Sequence, residues 1–421
     1  MKWRCKSSGW QRFAKRLILG GCGIGLTSGI HAQMIVYEGF EAYAGGVQVE
    51  TGTNGTSGTG LDGGSGWGGP YDVQNGIKSL VFIDDRTVNP VVYQNGAITV
   101  KGGARALRLS ATANGSYAIR RPLAAALAAG GTVYFSFLFR TANSSPLANQ
   151  DFLQVGFDNN PNPASGTPRV SVGTNTISTT FPPNQPFRFF ARSSAATASS
   201  MFDNTTDIQG STTYLLVGKI SRTGGGNFDR VDLFVNPSTL SEPVEASASV
   251  TVDSGISTLS HFFVRTVNLD SNDANVIDEL RVGLSFGSVV SDDGDSDGMP
   301  DRWEEAHGFD PLSAADATLD ADSDGQSNRV EYRAGTDPRD ATSLFSITSV
   351  TSDLNGLILE WRSGPGRRYH VQWSDDFVTW NVLNDGGVPV VLDASSGSRT
   401  SFAFVPTTTA ERRFYRIEAL P

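Results

Sequence analysis

The chain has 421 residues, a formal net charge of −10 and an isoelectric point of about 5.0. Its length suits two or three domains rather than one. A surface that acidic repels nucleic acid and anionic membranes, because phosphate binding needs clustered Lys/Arg, and is compatible with divalent cations and neutral glycans. Many glycines (47) and few methionines (4) favour short strands and turns over helical bundles.

Residues 1–32 read as a secretory signal peptide. Lys2, Arg4, Lys6, Arg12, Lys15 and Arg16 form a basic start, Leu17–Ile30 is apolar and glycine-rich, and Ile30-His31-Ala32 offers a small-residue cleavage site before Gln33. The apolar run is too short and too rich in glycine to span a membrane comfortably. Cleavage removes Cys5 and Cys22, both cysteines of the chain, so no disulfide or cysteine metal site is expected in the mature protein. It also removes six positive and no negative charges, taking −10 to −16. The expected location is extracellular or at the cell surface, without membrane insertion.

Residues 33–290 read as one long β-region. Period-two alternation runs through Val133–Phe139 and Val231–Val235, and turn clusters such as Gly224-Gly225-Gly226-Asn227 separate the segments. Leu123–Ala129 is the one short helical candidate, and Phe286–Ser291 reads as short and β-like. Many strands without regular helical intervals predict an antiparallel sandwich.

Residues 291–343 are rich in aspartate and repeat at an offset of 27. Asp293, Asp295, Asp297, Gly298, Glu304, Gly308, Asp310 and Pro311 match Asp320, Asp322, Asp324, Gly325, Glu331, Gly335, Asp337 and Pro338. A hard cation such as Ca2+ takes six to eight oxygens, which a twelve-residue loop supplies from positions 1, 3, 5, 7, 9 and 12, with glycine at the sharp turn of position 6. The first loop, Asp293–Glu304, offers Asp293, Asp295, Asp297, the Met299 carbonyl, Asp301 through water, and bidentate Glu304. The second, Asp320–Glu331, offers Asp320, Asp322, Asp324, the Gln326 carbonyl, Asn328 and Glu331. A solvated acidic linker would not keep the glycine and the closing glutamate in register twice. Each loop is expected to lead into a short helix, Pro300–His307 or Ser327–Ala334, ended by Gly308 or Gly335. Without an amphipathic helix before Asp293, and with Pro300 at position 8, sensor-style opening is not expected. Trp303 and Val330, equivalent in the repeat, are expected to pack between the two copies. The segment resembles thrombospondin type 3 and dockerin-like calcium repeats, which implies a structural ion that stiffens a connector; a dockerin role would imply a cohesin partner.

Residues 344–421 return to β patterning, with Leu357–Trp361, Arg368–Trp373 and Phe414–Ile417 strand-like and Gly364-Pro365-Gly366 a turn. The size fits a small fibronectin-type sandwich, in which Trp361, Tyr369, Trp373, Trp380 and Tyr415 are core candidates. The N-terminal region, through Tyr37-Glu38-Gly39-Phe40-Glu41, Gly63-Gly64-Ser65-Gly66-Trp67 and Val276–Val282, resembles concanavalin-A-like (laminin-G-like) jelly rolls. That resemblance implies adjacent first and last strands, a further calcium shared by Glu38 and Asp278, or else two plain surface acids, and often glycan binding. Trp67, Tyr71 and Tyr93 are candidates for stacking on sugar rings, or for capping the sandwich edge.

The sequence carries no closely spaced carboxylate pair on one strand, since adjacent Asp278 and Glu279 would point to opposite faces. It has no His-Glu-x-x-His. His261, His307 and His370 fall one to a segment. The expected role is a noncatalytic glycan-binding or adhesion protein with a glycan or extracellular protein as ligand. The alternatives are an extracellular polysaccharide hydrolase and a purely structural surface or matrix component.

Overall fold

The computed structural model describes residues 34–420 except 47–60, 75–80, 111–114, 129–130, 142–151, 161–168, 177–186, 195–199, 225, 270–273, 354–355, 386, 395–398 and 407–412. The expected signal peptide lies outside the described residues. The fold is mainly β. In chain order the N-terminal strands begin with β1 Met34–Glu38, β2 Asp72–Gln74, β3 Val81–Asp85, β4 Val92–Asn95, β5 Ile98–Lys101 and β6 Arg105–Ser110. They continue with β7 Gly115–Ala128, β8 Val133–Thr141, β9 Phe152–Asp158, β10 Val170–Thr176, β11 Phe187–Ser193 and β12 Ser200–Phe202. The last five are β13 Thr213–Ser221, β14 Arg230–Val235, β15 Ala248–Thr251, β16 Thr258–Leu269 and β17 Ala274–Gly283.

They form two antiparallel sheets. One has the order β15-β14-β13-β8-β17-β6-β3, with β1 also paired to β17; the other has the order β12-β11-β10-β9-β16-β7-β2. The first and last strands do lie side by side, with Glu38 opposite Leu280. Phe135 and Phe139 of β8 meet Phe157 of β9 and Phe189 of β11 edge-on, at 5.3 and 6.1 Å, in the core between the sheets. The first sheet is covered on its other face too. Tyr134, Leu138, Leu215, Val217 and Val276 pack under the β4–β5 hairpin and a helical turn, α1 (Phe286–Val290). Double coverage explains why β8 buries side chains of both alternating sets.

Two local expectations are corrected. Leu123–Ala128, the described part of the helical candidate, is not a helix but the end of β7, paired to β16 across a bulge. Alanine's helical preference yields there because Leu123 packs into the core and bridges Trp67. Phe286–Val290 is helical rather than β-like. Ser285 caps it, its Oγ accepting from the Ser288 amide (3.2 Å), and Phe286, Val289 and Val290 stand at helical spacing on the second core.

Two further helices follow, α2 (Asp301–His307) and α3 (Asn328–Ala334), with a 3₁₀ turn at Asp316–Thr318 between them. Both helices end on the expected left-handed glycines, Gly308 and Gly335, at φ 70 and 74°. The C-terminal segment has one sheet of β18 (Ile347–Asp353), β19 (Gly356–Arg362) and Arg399–Phe404. In another, β20 (Arg368–Ser374) pairs with Phe414–Ala419. Trp361 and Tyr369 are its buried centre, at 5.8 Å from each other. Trp373 and Trp380 are only half-buried, each beneath an arginine, Arg413 and Arg416.

Candidate metal centres

The two loops have the same internal wiring. In the first, the Asp297 amide donates to Asp293 Oδ1 (3.0 Å) and Asp295 Oδ1 (3.2 Å), Gly298 N to Asp293 Oδ2 (3.0 Å), and Met299 N to Asp297 Oδ1 (2.7 Å). In the second, Asp324 N donates to Asp320 Oδ1 and Asp322 Oδ1 (3.1 Å each), Gly325 N to Asp320 Oδ2 (2.8 Å), and Gln326 N to Asp324 Oδ1 (2.7 Å). Position 6 has φ of 93° in Gly298 and 99° in Gly325, outside the comfortable range of any residue with a Cβ. Position 4 is also left-handed in both copies, Ser296 at 63° and Ser323 at 66°.

These amides turn one oxygen of each middle carboxylate toward the backbone and leave the other without a protein partner. Asp295 Oδ2, Asp297 Oδ2 and both oxygens of Glu304 are buried and unpartnered in the first loop; Asp322 Oδ2, Asp324 Oδ2 and Glu331 Oε2 are so in the second. Ligand oxygens of Asp293, Asp295 and Asp297 lie within 4.8 Å of one another, as do those of Asp320, Asp322 and Asp324. Glu304 and Glu331 are both fully buried. Burial first, then Asp295 and Asp297, push the Glu304 carboxyl up to about 11; the same causes, with Asp322 and Asp324 as neighbours, raise Glu331 to about 7. Oxygens so arranged accept a hard cation or hold protons, because several bare carboxylates cannot share so small a space.

Position 9 is occupied differently from expectation. Asp301 is fully buried, with Oδ1 accepting from Gly294 N (2.8 Å) and Oδ2 from Arg281 Nε of β17 (3.0 Å). Asn328 Oδ1 accepts from Ala321 N (3.3 Å) while its Nδ2 donates to the Asp316 carbonyl (2.8 Å). Both residues brace position 2 of their own loop, and Asp301 is in none of the described clusters of ligand atoms.

Sequence reasoning missed Asp316. Its carboxylate joins Asp297 and Glu304 in a further group within 4.8 Å, although it lies outside the twelve-residue frame. Asp316 Oδ2 accepts from the Asp310 amide (2.9 Å) and Oδ1 is left buried and unpartnered. The equivalent residue of the second repeat, Ser343, makes the same bond to the Asp337 amide (2.9 Å) but brings no charge. The one legible signal was an extra aspartate where the repeat has serine. The copies differ at Glu331 too, whose Oε1 accepts from Thr336 (3.2 Å), whereas the residue at that point of the first repeat is Phe309.

Between the repeats, Trp303 meets Tyr332 edge-on at 5.2 Å, and Val330, expected as its partner, is exposed. The helix places Tyr332, two residues further on, against the first repeat.

The other site candidates resolve differently. Glu38 is fully buried and ion-paired to Arg121, while accepting from Phe40 N and Tyr43 Oη (3.2 Å each). Asp278 is buried in a β-bulge where Glu279 adopts φ 51°, so the simple alternation of faces fails there. Glu279 is itself buried against Arg281 (2.6 Å). Neither Glu38 nor Asp278 belongs to any cluster of three ligand side chains among the described residues. Of the aromatics considered for sugar stacking, Tyr71 and Tyr93 are buried and Trp67 is partly buried against the core. Arg121 lies 4.6 Å from the ring centres of both Trp67 and Tyr71, and Tyr93 is buried, donating to the Pro237 carbonyl (2.7 Å).

No protein-family model matches the sequence, and no curated protein sequence matches it. Solved structures do show likeness. Peanut lectin bound to a nonapeptide has 12% identity and a TM-score of 0.30, covering 51% of this chain and 96% of its own. The Ca2+- and mannobiose-bound exoplasmic domain of VIP36 has 11% identity and a TM-score of 0.30, covering 51% and 80%. A carbohydrate esterase from the Shiga toxin-encoding bacteriophage phi24B has 10% identity and a TM-score of 0.30, covering 51% and 90%.

Proposed function

We propose that this is a secreted calcium-binding protein in which two ions stiffen a connector, residues 291–343, between a β-sandwich at 33–290 and a small β-module at 344–421. Its role is noncatalytic glycan binding or adhesion. The observation that carries the metal half is the repeated set of buried, unpartnered oxygens, at positions 3, 5 and 12 of both loops. Residues offering ligands are Asp293, Asp295, Asp297, Glu304, Asp316 and the Met299 carbonyl in the first site, and Asp320, Asp322, Asp324, Glu331 and the Gln326 carbonyl in the second. Bound calcium supplies positive charge that lets these carboxylates ionise together. The residues themselves fix the loop: the position-1 aspartate ties down the amides of positions 5 and 6, and the position-9 side chain holds position 2. The glycan half is supported by the two-sheet sandwich together with the sequence resemblance of 33–290 to concanavalin-A-like domains, a fold-level analogy.

Calcium calorimetry of residues 33–421 tests the metal half. Two sites per chain are expected, with Glu304→Gln and Glu331→Gln each abolishing one. No binding heat, together with no change in melting temperature on adding calcium, would refute it. An oligosaccharide panel measured in calcium tests the glycan half, with binding and no release of reducing sugar expected.

A further inference from the structure

A cleft of about 650 Å³ opens where the N-terminal sandwich, α2 and the start of the C-terminal module meet. Its size lies in the range of small-ligand sites. In a chain that is acidic overall, this cleft is lined by four cations: Arg86, Lys101, Arg302 and Arg367. Arg86 is held by Asp84 (2.7 Å). Lys101, Arg302 and Arg367 make no ion pair among the described residues, and the Arg302 Nε is buried without a partner. The one acid in the lining, Glu41, accepts from the Arg105 amide (2.9 Å) and offsets part of the Arg302 charge, leaving the lining net positive. Trp303 and Tyr332 form an apolar wall, and Arg367 lies 4.4 Å over the Tyr332 ring.

Cations that outnumber the one lining acid, beside aromatic rings, suit a ligand that is anionic and has flat C–H faces. We propose that this cleft binds a short stretch of acidic polysaccharide, a chain of sugars bearing carboxylate or sulfate groups. The inference rests on the glycan-binding reading and gives it a place and a ligand class. The negative surface elsewhere disfavours a long polyanion such as nucleic acid, while a short segment meets only the basic lining.

The test is titration of residues 33–421, in calcium and low salt, with galacturonate hexamer, sulfated galactan hexamer, neutral galactan hexamer and hexaglutamate. At least one acidic sugar is expected to bind ten-fold or more tightly than the neutral sugar and than hexaglutamate, and the stronger of the two identifies the anion. Raising the salt should weaken that binding. Lys101→Glu, at an exposed position, and Arg367→Gln should each weaken it ten-fold or more, with an unchanged melting temperature showing that the variants fold. Equal binding of the neutral hexamer, unaffected by both substitutions, would overturn the cleft and leave the glycan reading standing. No binding of any sugar would overturn both. Hexaglutamate binding as tightly as the acidic sugars would make the site one for acidic peptides and overturn the proposal.

Discussion

Replacing Asp316 by serine gives the first repeat the hydroxyl that the second carries at Ser343, and the consequence should reverse sign with calcium. The new hydroxyl can still accept from the Asp310 amide, as Ser343 accepts from Asp337 at 2.9 Å, so the turn between the repeats is kept. What disappears is a carboxylate within 4.8 Å of those of Asp297 and Glu304. At that separation two unit charges interact by about 3.5 kcal/mol at an effective dielectric constant of about 20. Without calcium these contacts are repulsive, up to the limit at which the cluster takes up a proton. With a doubly charged ion at the centre, the same carboxylate is attractive. Calcium sites span many decades of affinity with ligand charge and rigidity, so one carboxylate fewer should weaken the first site by about 10–100-fold, or about 1.4–2.8 kcal/mol.

In calorimetry at neutral pH, the native protein is therefore expected to show a tighter and a weaker site. Asp316→Ser should bring the tighter one down toward the weaker and leave the weaker unchanged. Melting in EDTA should be unchanged or slightly raised by the same substitution, while melting in calcium falls. A melting temperature lowered equally in EDTA and calcium would make Asp316 a folding residue only. A change confined to the weaker site would refute the assignment to the first loop.

Other consequences concern pH, the C-terminal core and the cleft. In EDTA, Asp297, Glu331 and Asp295 have carboxyls raised to about 6, 7 and 8, chiefly by burial, against about 4 in an unfolded chain. Raised acids stabilise the fold in their protonated form, fully below the unfolded value and progressively less as pH climbs through the folded one. The metal-free melting temperature should thus fall between about pH 5 and pH 8, and saturating calcium should flatten the slope; a rise with pH in EDTA would contradict this. Trp361→Ala, at the fully buried centre of the C-terminal module, should destabilise that module by about 3–5 kcal/mol in urea denaturation, with two calcium sites retained. Chelation should also weaken acidic-sugar binding, because Trp303 and Tyr332 ride on the helices that follow the two loops; binding equal in EDTA and calcium would separate the cleft from the ions.

What could be read from the sequence followed from strictly local chemistry. The twelve-residue frames, the glycines at positive φ and the left-handed helix ends at Gly308 and Gly335 each depend on residues a few places apart, and each stands where the pattern puts it. The long strands were legible because their apolar runs were. The failures have longer-range causes. The alanines of β7 follow β16, a partner far away in sequence. Phe286, Val289 and Val290 did carry a helical spacing, hidden by the shortness of the turn. Asp316 serves the first loop from twelve residues beyond Glu304, so no spacing rule inside the loop could find it. Trp67 was a sugar-stacking candidate as an aromatic beside a run of glycines, yet those glycines serve close backbone approach: a Cβ at Gly66 would come within 2.1 Å of the Ile35 carbonyl oxygen.

Loop side chains outside the proposed ligand set tie each repeat to the rest of the chain. Asp301 holds position 2 of the first loop with one oxygen and Arg281 of the N-terminal sandwich with the other. In the second loop the Gln326 side chain donates to the Phe345 carbonyl (2.8 Å) and accepts from the Phe345 amide (3.2 Å), at the threshold of the C-terminal module. The end of α3 is fastened there as well, by the Tyr369 hydroxyl on the Ala334 carbonyl (2.8 Å). The repeats are tied to each other by Arg329 on the Asp297 carbonyl (3.1 Å) and by Arg339 on the carbonyls of His307 and Gly308 (2.8 and 2.9 Å). If the loops hold calcium as proposed, emptying one should loosen an anchor to one neighbour and, through Arg329, the other loop. Under the proposed calcium binding, the connector responds as a coupled pair whose first site holds the sandwich and whose second holds the C-terminal module.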